Sequence, residues 1–177
     1  MDIKDKYTED TWGKIKRLPY MVAIGMEGAG RSGLSGSAQE RHAAVVSVLS
    51  AREAFPGNPL ISRILPLSDG EKAEMDVIAQ HDSAMNFLSA SGIRSATDLW
   101  NHIEACALEV LQALAKHEAG DTLTDYRQWL LRIASDVSVA AKEGDFFGIG
   151  GVLVSEEERE CYARLERALD LESGEED

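Results

Sequence analysis

Only two cysteines, four prolines and 6% aromatic residues occur among the 177 residues of this chain. Cys106 and Cys161 lie far apart, whereas disulfide frameworks and zinc knuckles need closely spaced pairs, so neither is expected. Two isolated thiols fit a reducing compartment. Scarce proline argues against a linker-rich chain, and the sole strand-like run is Gly151-Val152-Leu153-Val154, which has no obvious partner. No window approaches the ~20 consecutive apolar residues that span a bilayer. The amino-terminal stretch MDIKDKYTEDTWGKIK is charged throughout and lacks the apolar core of a signal peptide. The expected location is the cytoplasm.

A basic excess is also missing. The net charge is -13, with the acids concentrated over 156–177. Such a surface repels nucleic acid and anionic membranes, and neither is expected as a partner. What remains, 44% hydrophobic and 28% charged residues, is the balance of a globular chain. Its length suits one domain, read here as 1–171, followed by an acidic disordered tail, 172–177.

Helix punctuation is plain. The capping-box pattern, Ser or Thr followed three residues later by Glu or Asp, recurs at Ser37/Glu40, Ser68/Glu71, Ser95/Asp98, Thr122/Asp125 and Ser155/Glu158. Gly92, Gly120 and Gly144 are natural helix stops. Together with apolar periodicity these signals predict helices over 9–29 (broken or kinked at Pro19), 38–54, 59–65, 69–90, 96–118, 123–143 and 156–171. Leu99, Ile103, Ala107, Val110 and Leu114 recur at helical spacing, and Leu108, Leu111 and Ala113 widen that face. The expectation is an all-α, compact, bundle-like array of six or seven helices around a central hydrophobic helix 96–118.

Two stretches share a plan of small-residue helix, glycine loop, capping box and amphipathic helix. One runs from Tyr20 through Gly25, Gly28, Ala29 and Gly30 to Ser37-Ala38-Gln39-Glu40, the other from Ile133 through KEGDFFGIGGVLVSEEE. The second segment looks like the end of a family of small bacterial helical proteins. The broader plan resembles the tellurite-resistance B-like helical module, whose turn corresponds here to Glu143-Gly144-Asp145 and Gly28-Ala29-Gly30. That resemblance implies a helical fold and a metal- or stress-related setting.

Two sets of residues are candidate ligands. Glu143, Asp145, Glu156, Glu157 and Glu158 flank the glycine loop and offer hard oxygens for calcium or magnesium, although their spacing is not that of an EF-hand. The same acids oppose a phosphate at that helix start, and no P-loop lysine is present. His102 and Cys106 stand at i and i+4, with Glu109 a turn later, a partial shell for a transition metal or a nucleophile–base pair. No Glu lies three residues before any of His42, His81, His102 and His117, which disfavours a carboxylate-bridged di-iron bundle. His81, between Val77, Met85 and Leu88, reads as a core-edge histidine. Neither a G-x-S-x-G elbow nor an H-E-x-x-H pair occurs. The glycines of 20–30 carry a helix cost of about 1 kcal/mol each, which predicts close packing of that helix against 96–118 or, as the alternative, a groove floor for a ligand or partner helix.

With no convergent catalytic set, the expected function is non-enzymatic, through a protein partner or self-association and without a cofactor. The alternatives are a divalent-cation module at 144–158 and a small-ligand pocket or enzyme using His102 and Cys106.

Overall fold

The computed structural model describes residues 2–29, 38–118, 120–143 and 155–170, the side chains of 141–143 excepted. Among these, a 3-10 turn (Ile3–Lys6) leads into seven helices: α1 (Glu9–Glu27), α2 (Ala38–Ala54), α3 (Pro59–Ile64), α4 (Gly70–Ala90), α5 (Ala96–His117), α6 (Asp121–Glu143) and α7 (Glu156–Asp170). No strand occurs among the described residues. The fold is all-α, and the helices pack into one compact bundle.

Local chemistry explains most of the ends. Thr8 caps α1 by accepting the Thr11 N–H, and Asn58 caps α3 by accepting those of Leu60 and Ile61, with Pro59 at the first helical position. The Ser95 hydroxyl accepts the Asp98 N–H at 3.1 Å. Ser155 and Glu158 form a complete box, Glu158 Oε2 receiving the Ser155 N–H at 2.8 Å and Ser155 Oγ the Glu158 N–H at 3.1 Å. Gly92, at φ +80°, ends α4: its N–H reaches the Ser89 carbonyl and the Ile93 N–H reaches that of Leu88.

Two expected boxes do not form. Ser68 donates to Asp76 Oδ2 at 2.5 Å, and α4 starts after Asp69, which makes no side-chain cap. Helix α6 begins at Asp121, ahead of Thr122, and Asp125 accepts a bond from Asn58 Nδ2 at 3.0 Å. In the first case Asp76 has taken the capping hydroxyl; in the second Asn58 has engaged the acid of the box. The Ser37 box, the Gly144 stop, the run 151–154 and the tail 172–177 lie outside the described residues.

Pro19 does not break α1. It removes the N–H that would bond the Ile15 carbonyl four residues back. The buried Tyr126 hydroxyl of α6 donates to that carbonyl at 2.8 Å, so the helix continues with its orphaned acceptor satisfied.

The most completely enclosed stretch is 18–27 of α1, every residue of which is buried. It packs against α5 and α6 as well as α4 and α2, while α2 and α6 lie along each other. Helix α5 supplies Leu99, Trp100, Ile103, Ala107, Val110, Leu111 and Leu114 to the core, with Leu108 on its exposed side.

Gly25 marks the close approach expected between α1 and α5. A Cβ there would sit 2.8 Å from Ile103 Cδ1 and 3.0 Å from Trp100 Cζ2, inside van der Waals contact. Gly25→Ala therefore sets an overpacking cost of ~1–3 kcal/mol against a helix-propensity gain of ~1 kcal/mol. A net loss is expected in urea melts, reduced when Ile103→Val removes the clashing methyl. A stabilised Gly25→Ala protein would refute this close packing.

Candidate functional site

The structure places His102, Cys106 and Glu109 on one stretch of α5 but gives them different surroundings. His102 is half-buried, its ring centroid 6.2 Å from that of Phe87. Burial and the nearby Arg17 cation push its pKa down, favouring the neutral imidazole. Cys106 is buried, and that burial pushes its thiol up to about 11. Glu109 is turned toward α1, where Lys14 Nζ donates to it at 2.7 Å and also pairs with Asp10 at 2.8 Å. Arg17 stacks over Phe87, 3.9 Å from the ring centroid. Glu109 is thus held by a lysine and His102 lies against an aromatic ring, while Arg17, Lys14 and Glu109 act by charge on both His102 and Cys106.

Cys161 on α7 is likewise pushed up to about 11, chiefly by burial. Since thiolate is the reactive form, both thiols are expected to alkylate slowly at pH 7 and to react fully in denaturant. Native reaction as fast as that of a free thiol would contradict this placement.

Of the loop acids, Glu156 and Glu157 are exposed in the first turn of α7, where acids complement the helix dipole. Glu158 is buried and held by its box with Ser155. The Glu143 side chain and all of Asp145 lie outside the described residues. Among the described residues, no group of three or more His, Cys, Asp or Glu side chains is placed to hold a metal ion.

One polar pair was not legible in the sequence. His81 Nε2 lies 2.9 Å from Glu27 Oε1, and both side chains are enclosed between α4 and α1. Glu27 Oε2 and His81 Nδ1 have no hydrogen-bond partner among the described residues. The spacing of Val77, His81, Ala84 and Leu88 already puts His81 on a buried face. The overlooked signal is Glu27 itself, the only charged residue in the run Tyr20–Gly30. A buried histidine and a buried acid each require a partner.

Two grooves flank the outer side of α6. Between α6 and α7 lies a groove of about 280 Å³ whose lining includes Ser135, Val139, Tyr162, Ala163 and Glu166. Between α6 and α2 lies another, of about 360 Å³, lined by Ala38, Gln39, His42, Ala43 and Ala140. Val139 is 49% exposed, and Val46, one turn beyond His42 on α2, is 51% exposed. Small side chains keep both grooves shallow and largely apolar, while Arg159 and Glu166 of α7 put one charge of each sign on the edge of the first.

No helix among the described residues is long and apolar enough to cross a membrane. No family model matches the chain, and no curated protein or solved structure is significantly similar to it.

Proposed function

We propose that this protein is a non-catalytic interaction module whose outer α6 face, with the flanking sides of α2 and α7, takes an amphipathic helix of positive charge from a partner protein. The observation that carries the reading is the pair of apolar-lined grooves on either side of α6, with Val139 half-exposed beside them. A helix laid on such a face fills grooves with side chains spaced three or four residues apart. The chain's net charge of -13 and the exposed acids of α7 select a basic partner and speed its approach. The sequence's resemblance to the tellurite-resistance B-like module implies a metal- or stress-response setting for that contact.

Catalysis has less support, because Glu109 is held by Lys14 and the Cys106 thiol is buried. The cation reading has lost Glu158 to its cap, and no described acid cluster replaces it.

Site-specific photo-crosslinking tests the proposal. A crosslinker at Val139 is expected to trap one discrete partner in cells, and the yield of the same adduct should fall when irradiation is done in high salt. The control is Met75 on α4, equally exposed at 54% but lining neither groove. An adduct of twice the chain mass would replace the partner with self-association. Equal labelling from both positions would remove the α6 face as the site.

A further inference from the structure

Away from the α6 face, a second hollow has a floor that lacks its complement. It measures about 310 Å³ and lies among α1, α4 and the connection that follows α3. Tyr20 lines it, 3% exposed, and the Tyr20 hydroxyl is buried with no hydrogen-bond partner among the described residues. Burial alone pushes that phenol up to about 12, so it is a neutral donor at physiological pH. A buried hydroxyl left unpaired costs ~1–3 kcal/mol, which makes the position informative.

The rest of the lining shows what would complete it. Lys16, one turn before Tyr20 on α1, has no ion pair among the described residues. Arg63 gives its Nε–H to Asp2, at 3.0 and 3.1 Å from the two carboxylate oxygens, and its terminal nitrogens have no bond among the described residues. Asp76 already accepts the Ser68 hydroxyl. Leu65 and Pro66 make one wall apolar. A wider hollow of about 630 Å³, open beside Trp12, shares Lys16 and Arg63 and gives access.

We infer that this hollow is a binding site for a small organic anion, its carboxylate or phosphate head held by the Tyr20 hydroxyl, Lys16 and Arg63 and its short apolar body against Leu65 and Pro66. Two cations and a neutral donor around one oxyanion form charge-assisted bonds, and the apolar wall favours a ligand with a carbon chain over a bare ion.

The test is a titration of the whole chain, followed by amide NMR shifts, with butyrate and separately with butyl phosphate. Saturable shifts at Tyr20, Ala79 and Gln80 are expected for at least one probe, and the tighter of the two identifies the head group. Tyr20→Phe and Lys16→Gln should each weaken that probe at least fivefold. Lys16 is exposed, so its variant tests the charge of the site without disturbing the core. Absence of saturable shifts with both probes would overturn the inference. So would binding that Lys16→Gln leaves unchanged.

Discussion

Replacing His81 by leucine is expected to lower stability by about 1–3 kcal/mol, the cost typical of leaving a buried polar group without its partner. Glu27 is fully enclosed, in the last turn of α1, where the carbonyl end of the helix dipole disfavours a negative charge. Among the described residues its side chain bonds to His81 Nε2 alone, at 2.9 Å. Because such a loss is a large part of the ~5–15 kcal/mol that holds an ordinary domain together, the decisive variant is the double one. Glu27→Leu/His81→Leu removes both polar groups from an apolar region, and its stability should return to within ~1–2 kcal/mol of the native protein. Urea unfolding of the native, two single and double proteins forms a cycle that reports the coupling. Additive losses would mean that the two side chains are independent, and the pairing would be wrong.

The second large effect comes from one hydroxyl. Tyr126→Phe should cost ~1–3 kcal/mol, because the Ile15 carbonyl is then buried without a donor. The loss should depend on Pro19, which is the reason no helical N–H reaches that carbonyl. In a Pro19→Ala background α1 can supply its own donor, and Tyr126→Phe should become nearly neutral. The cycle separates this account from generic packing around Tyr126, whose ring is unchanged by the substitution. An equal Tyr126→Phe loss in both backgrounds would refute it.

These two arrangements show where sequence reading stops. Helix ends were legible because Asn58, Ser95, Ser155 and Gly92 act on backbone groups two to four residues away. The box at Ser68 was misread because Asp76, farther along and brought near only by folding, won its hydroxyl. Pro19 was legible as an interruption but not as a repaired one, since its remedy comes from Tyr126, 111 residues from Ile15. The periodicity of α4 placed His81 on a buried face, but its partner lies 54 residues upstream. Gly25 is the favourable case: its helix cost forecast a close approach, and Trp100 and Ile103 of α5 provide it.

The candidate site was less legible still. His102, Cys106 and Glu109 share a helix face by spacing, yet Lys14 and the surrounding core give each a separate environment. The grooves beside α6 have no motif, because a groove arises from the way α2, α6 and α7 are set side by side around small residues such as Ala43, Ala140 and Ala163.

The most direct measurement is the affinity of the crosslinked partner for the native protein and for Val139→Asp, each checked by its melting temperature. Val139 is half-exposed, so the substitution should leave the melting temperature within a few degrees. It places a charge on the apolar face, and the dissociation constant should rise at least about tenfold, the scale of a contact at the centre of an interface. Unchanged affinity in a folded Val139→Asp protein would contradict the assignment of function to this face.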